Sequence, residues 1–69
     1  MNNEVTNFMY YMYNRWNMAE AKNLFGNNLG QHIYEKWMAY HEDNLRWYAE
    51  LDVKCRQMLV DRANEIFNN

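Results

Sequence analysis

The sequence predicts an all-α protein: a small bundle in which two short N-terminal helices pack on a long C-terminal helix. Apolar residues recur at three- and four-residue intervals along most of the chain, and no stretch alternates cleanly between polar and apolar residues. β-Branched residues are few. Because a chain of 69 residues has room for one domain, we treat residues 1–69 as a single helical domain.

The first helix is predicted over residues 4–16. Its inward face is carried by five apolar side chains at helical spacing: Val5, Phe8, Met9, Met12 and Trp16. The run Tyr10-Tyr11-Met12-Tyr13 is apolar around the whole helix, so at least one of these tyrosines should lie outside the core.

The second helix is predicted over residues 18–25. Asn17 and Glu20 have the spacing of a capping box, in which the Asn17 side chain accepts from free amides and Glu20 bonds the amide of the cap residue. Gly26 suits the left-handed conformation that ends a helix, so this helix should stop at Phe25.

The third helix is predicted from Leu29, with Asn28 as its cap, to about residue 67. Its inward stripe keeps helical phase over the whole length, with Asn44 and Arg62 as polar members: Ile33, Trp37, Tyr40, Asn44, Tyr48, Leu51, Cys55, Met58, Arg62 and Ile66.

The polar run 41–44 allows a break in that helix near residue 43. We favour continuity, because no Gly or Pro interrupts the run and neither Asp43 nor Asn44 completes a capping box. Glu42–Arg46, Glu50–Lys54 and Asp52–Arg56 also have the spacing of favourable acid-before-base pairs on a helix.

A continuous helix over residues 29–67 would be about 55 Å long, more than two short helices can cover. Four apolar residues also lie off its main stripe: Val53, Leu59, Val60 and Phe67. Either the chain bends back near residue 43 and forms a four-helix bundle, or a second copy or another protein covers the helix.

Residues suited to catalysis or metal binding are few and unfavourably spaced. His32 and His41 would lie on opposite sides of one helix, and the side chains of Glu42 and Asp43 would diverge by about 100°. Cys55 falls on the core stripe, and the chain has no Ser. We therefore expect no enzymatic activity, no catalytic residue, no metal and no cofactor.

Composition also restricts the compartment and the partners. A single cysteine allows no intramolecular disulfide, so we expect a cytoplasmic protein. No stretch approaches the ~18 apolar residues of a membrane span, and no cleavable leader is evident, so we expect no membrane partner. The net charge of −2 disfavours nucleic acid as a partner without excluding it.

The leading hypothesis is a non-enzymatic protein-binding module that docks on a second copy of itself or on another protein. Tyr, Trp and Met, which are enriched at the centres of protein contacts, are abundant here. The short chain also suits an accessory or inhibitor protein of a phage or mobile element. The interface candidates are Tyr11, Tyr13, Trp47, Leu59 and Phe67.

The alternative is a DNA-binding protein. A short helix, a Gly-containing turn and a longer helix resemble the outline of a helix-turn-helix, although the spacing from Ala21 through Gly26 to Ile33 is about one residue longer than in the common pattern. In this alternative Gln31, His32 and Lys36 would face the major groove, and Arg15 or Lys22 would contact phosphates.

Overall fold

Five helices follow one another along the chain in the computed structural model, which describes residues 3–67. They are α1 (Glu4–Asn14), α2 (Met18–Phe25), α3 (Asn27–Ala39), α4 (Asn44–Glu50) and α5 (Val53–Phe67). Within that range there is no strand, and the small all-α bundle predicted from helical periodicity is confirmed. None of the described helices is long and apolar enough to cross a membrane.

The helices pack in pairs. α2 lies against α3, α1 lies against α5, and α4 contacts α3. The longest dimension of the described chain is 34 Å, well below the ~55 Å of an unbroken helix over residues 29–67. The Cα radius of gyration is 11.3 Å, which matches the ~11 Å expected for a compact domain of this length. The chain therefore bends back and covers much of its own apolar surface.

The continuous C-terminal helix favoured from the sequence is wrong, and the alternative of a break near residue 43 is the one observed. α3 ends at Ala39, and His41 adopts φ 56°, a left-handed conformation that His tolerates better than most residues. α4 then begins at Asn44, because the Asp43 side chain accepts a hydrogen bond from the Arg46 amide at 3.2 Å. A single cap of this kind needs no reciprocal capping box.

A second break, which the sequence analysis did not predict, separates α4 from α5. Leu51 is extended, with ψ 152°, and the Asp52 carboxylate accepts from the Cys55 amide at 2.9 Å. This backbone hydrogen bond holds the pKa of the Asp52 carboxyl below its usual range. Asp52 is thus a helix cap and does not pair with Arg56.

The three predicted acid–base pairs are not formed within residues 3–67. Glu50 Oε1 instead lies 3.7 Å from Lys36 Nζ on α3, and Glu50 Oε2 lies 3.8 Å from Arg46 Nε on the same helix. The Glu50 carboxylate also accepts a hydrogen bond from the Tyr40 hydroxyl. These side chains are well exposed, so the pairs contribute little free energy. Of the two ion pairs, only the one with Lys36 joins α4 to α3.

The N-terminal helix is shorter than predicted. It begins at Glu4, with Asn3 as its cap, and ends at Asn14, so Trp16 lies in the α1–α2 connection. Trp16 is nevertheless buried, because the amides of Arg15 and Trp16 both bond to the Tyr11 carbonyl and so turn the chain back over α1.

The turn between α2 and α3 is a single residue, Gly26. α2 has the predicted bounds, and Asn17 accepts from the Glu20 amide at 2.8 Å as predicted. Gly26 has a positive φ of 91°, but its ψ of 165° is extended and not helical. The predicted Asn28 cap is wrong: α3 begins at Asn27, with Gly26 as a cap that has no side chain.

The core is centred on three fully buried side chains, Trp47, Tyr11 and Leu59. The ring centroids of Trp47 and Trp16 are 5.5 Å apart, and the Trp47 indole N–H donates a hydrogen bond to the Ile33 carbonyl at 3.1 Å. Other buried core residues surround them: Phe8, Met12, Trp16, Ala21, Ile33, Cys55 and Ala63. The burial of Trp47 was not predicted, because the inward stripe expected from the sequence passed through Tyr48 and not through Trp47.

A polar network joins α1, α2 and α5 beside this core. The Tyr11 hydroxyl donates to the Glu20 carboxylate at 2.8 Å, and Arg62 Nε donates to the same oxygen, also at 2.8 Å. Glu20 therefore does not close the predicted capping box. Burial raises the pKa of Glu20, but the hydrogen bonds from Arg62 and Tyr11 outweigh it and hold the pKa below its usual range.

The lowered pKa of Glu20 predicts a pH-dependent contribution to stability. This contribution is complete above the pKa that a glutamate has in the unfolded chain, about 4.3. It is lost as the pH falls through the lower pKa that Glu20 has in the folded protein. We expect Glu20→Gln to lower the free energy of unfolding by about 1 to 2 kcal/mol at neutral pH, and by less at pH ~3. Urea unfolding across this pH range measures the difference.

A matched control for this experiment is Glu35→Gln, which changes an exposed carboxylate on α3. Its unfolding curves should follow those of the wild type at every pH. Equal losses for Glu20→Gln at neutral and acid pH would contradict the assignment of the network.

Candidate functional site

Three of the five interface candidates lie inside the core, so their predicted surface position is wrong. Tyr11, Trp47 and Leu59 are fully buried. The break at residues 40–43 lets α4 fold back, so Trp47 points inward, and the helical phase restarts at Asp52, so Leu59 faces α1. Glu20 accepts a hydrogen bond from the Tyr11 hydroxyl, and burial, together with this bond, raises the pKa of the phenol.

The other two interface candidates remain at the surface. Tyr13 is 76% exposed at the end of α1. Phe67 is half-buried at the end of α5, where its ring lies 6.0 Å from that of Tyr10. These two side chains stay candidates for contact with a partner.

An apolar groove is present where α1, α4 and α5 meet. It has a volume of about 200 Å³ and is lined by Val5, Phe8 and Met9 of α1, Leu45 and Tyr48 of α4, and Val60 of α5, with Glu4 at its edge. Val5 is 71% exposed and Leu45 is 74% exposed. We call this surface the α1–α4–α5 groove.

Aromatic and polar contacts connect the residues at the floor of the α1–α4–α5 groove. The ring of Phe8, which is 7% exposed, meets the ring of Tyr48 edge to face, with centroids 5.0 Å apart at 66°. The Arg56 guanidinium lies 5.9 Å from the centre of the Tyr48 ring, close enough for a cation–π contact. Glu4 accepts from Asn64, which also accepts from Asn7 and so fastens α1 to α5. The groove is therefore already formed in the free chain.

This groove was not predicted from the sequence. Val60 was noted as an apolar residue off the main stripe, but Val5 was assigned to the inward face of α1, and that assignment is wrong. The sequence pattern did not indicate that Leu45 is exposed, because its exposure depends on where α4 starts. On a continuous helix Leu45 would occupy a different position relative to α1.

The candidates for DNA contact lie on several elements. Gln31 and His32 are exposed on α3, where Gln31 donates to Glu35 at 3.2 Å. Lys36 is ion-paired with Glu50. The remaining two are Arg15, exposed between α1 and α2, and Lys22, half-buried on α2. The α2–turn–α3 unit exists, but an acidic residue and an ion pair lie on the face that would meet DNA.

Groups for metal or thiol chemistry do not converge. Among residues 3–67, no three His, Cys, Asp or Glu side chains stand close enough together to hold a metal ion. Cys55 is buried, and this burial, with the nearby Asp52, raises the pKa of its thiol. The residue acts as part of the core.

Comparison of the chain with protein-family models, with curated proteins and with solved structures finds no match.

Proposed function

We propose that the protein is a non-enzymatic protein-binding module that holds one apolar side chain of a different protein in the α1–α4–α5 groove. The observation that carries this proposal is the exposure of Val5 and Leu45 beside a preformed apolar floor. Pockets that receive an apolar anchor are a common centre of protein contacts.

The free energy available from this groove suits a modest, reversible contact. Full burial of an aliphatic side chain contributes about 1.5 to 3 kcal/mol, and Val5 and Leu45 are both largely exposed. The anchor side chain of the partner adds a similar amount, against the cost of losing translational and rotational freedom. Additional contacts outside the groove would set the final affinity.

A different protein fits this groove better than a second copy does. A two-fold dimer requires the same patch on both subunits, and two concave surfaces placed face to face leave a void between them. The proposal includes an accessory or inhibitor role, in which the anchor side chain belongs to a host enzyme.

The experiment is photo-crosslinking in cells that express the chain naturally, with a photoreactive residue at position 45 or at position 53. Leu45 lines the groove, whereas Val53 is 70% exposed and is absent from its lining. We expect a specific adduct with a second protein from position 45 and none from position 53. An adduct of twice 8.6 kDa would show a second copy instead, and equal labelling from both positions would contradict the groove.

A further inference from the structure

Two charges of opposite sign border the α1–α4–α5 groove. Within residues 3–67, Glu4 is the one charged residue in the lining of this groove, and it is exposed. Arg56 is half-buried beside the groove, where its guanidinium carbon lies 5.9 Å from the centre of the Tyr48 ring. Neither residue takes part in an ion pair within the described chain. Both charges are therefore available to a partner that enters the groove.

The spacing along α5 places these two charges at opposite ends of the groove. Val60 is the α5 residue in the lining, and Arg56 and Asn64 lie four residues before it and four residues after it. The Asn64 side chain donates to the Glu4 carboxylate at 3.2 Å. Eight residues of an α-helix span about 12 Å, so roughly two turns of α5 separate the negative end from the positive end. We call Glu4 and Arg56 the dipolar rim of the groove.

The contacts of the dipolar rim leave its charges uncompensated. Glu4 accepts from a neutral amide, and Arg56 lies over a neutral ring. Burial of apolar surface has no preferred direction, so an apolar anchor alone would not determine how the partner segment lies in the groove. Complementary charges on the partner would determine that direction, and like charges at the same positions would be rejected.

We propose that the partner of this groove is a helical segment with a basic side chain on one side of its apolar anchor and an acidic side chain on the other. The base lies beside Glu4 and the acid beside Arg56. A helix packed alongside α5 has the required period, because an acid, the anchor and a base at four-residue intervals span the same ~12 Å. This inference rests on the proposed function, since it names the chemistry of the partner in the same groove.

The test is a titration with two alanine-based helical peptides, followed by the NMR signals of the methyl groups in the lining. Each peptide carries a single leucine as its anchor. The first has a glutamate four residues before the leucine and a lysine four residues after it, and the second has glutamine at both positions. Because both peptides have the same net charge, the net charge of −2 on the chain affects them equally. We expect the glutamate–lysine peptide to shift the Leu45 and Val60 signals with an affinity at least about twofold higher.

Two substitutions in the chain test the charges of the dipolar rim separately. Glu4→Gln removes the negative charge and keeps an acceptor for Asn64, and Arg56→Gln removes the guanidinium. Each should reduce the preference for the glutamate–lysine peptide. The matched controls are Glu35→Gln and Lys54→Gln, which change exposed side chains that are absent from the lining and should leave the preference unchanged.

The outcomes separate this inference from the proposed function. Equal affinities of the two peptides, with shifts confined to the lining, would overturn the inference and leave the groove as an apolar binding site. A preference that persists in both Glu4→Gln and Arg56→Gln would also overturn it. If neither peptide shifts the Leu45 signal, or if the signal of Val53 outside the lining shifts equally, both the inference and the proposed function fail.

Discussion

Replacing Trp47 with Ala is expected to remove a large part of the free energy of unfolding. The side chain is fully buried, packs on Trp16 and donates to the Ile33 carbonyl from a helix of seven residues that has no other fully buried side chain. Removing a buried aromatic side chain typically costs about 3 to 5 kcal/mol. A domain of this length has a free energy of unfolding of roughly 3 to 10 kcal/mol, so the loss ranges from about a third of this free energy to all of it.

Urea unfolding followed by far-ultraviolet circular dichroism measures the effect of Trp47→Ala. The control is Leu45→Ala on the same helix, where the side chain is 74% exposed and the expected change is within about 0.5 kcal/mol. A loss below about 1 kcal/mol for Trp47→Ala would show that α4 does not pack as described.

Replacing Gly30 with Ala is the second substitution with a large expected effect, and its sign is the opposite of that expected from helix propensity. Ala in a helix interior is favoured over Gly by about 0.5 to 1 kcal/mol. A Cβ atom at Gly30 would lie 2.4 Å from the Ala21 carbonyl oxygen and 2.6 Å from the Lys22 Cα. These are backbone atoms, so α2 and α3 would have to move apart.

Overpacking of this kind typically costs about 1 to 3 kcal/mol, which exceeds the gain in propensity. We therefore expect Gly30→Ala to lower the melting temperature. Gln31→Ala at the adjacent exposed position is the control, and it should leave the melting temperature unchanged or slightly raised. A Gly30→Ala variant as stable as the wild type would contradict the close approach of α2 to α3.

Sequence periodicity predicted the helical class because local spacing alone determines an amphipathic face. The bounds of α2, the Asn17 cap and the burial of Phe8, Met12 and Ile33 all follow from that spacing. These features depend on residues three or four positions apart, which a single sequence displays directly.

The two breaks after α3 could not be predicted in the same way. Asp43 and Asp52 each cap a helix with one side-chain bond, but an aspartate is equally compatible with the solvated face of a continuous helix. The choice between the two is made by tertiary contacts, above all by the burial of Trp47 against Ile33. The spacing of neighbouring residues in the sequence does not reveal such a contact.

The position of the α1–α4–α5 groove follows from those breaks. With a continuous helix Leu45 and Val60 would lie on one rod, whereas the bend and the second cap bring them together beside Val5. Aromatic content suggested a binding surface, but two of the aromatic candidates, Tyr11 and Trp47, are buried in the core. The other two, Tyr13 and Phe67, are absent from the lining of this groove. The candidate site is therefore a consequence of tertiary structure more than of composition.

The most direct test of the proposed function is a titration of the crosslinked partner, once purified, with two variants of the chain. Leu45→Asp and Val53→Asp both place an acid in the first turn of a helix, where it suits the helix dipole, so both should fold. We predict that Leu45→Asp weakens binding at least about tenfold, that Val53→Asp does not, and that the wild-type affinity changes little with salt. Equal affinities for the two variants, or a steep loss of affinity as salt rises, would contradict a contact built on the α1–α4–α5 groove.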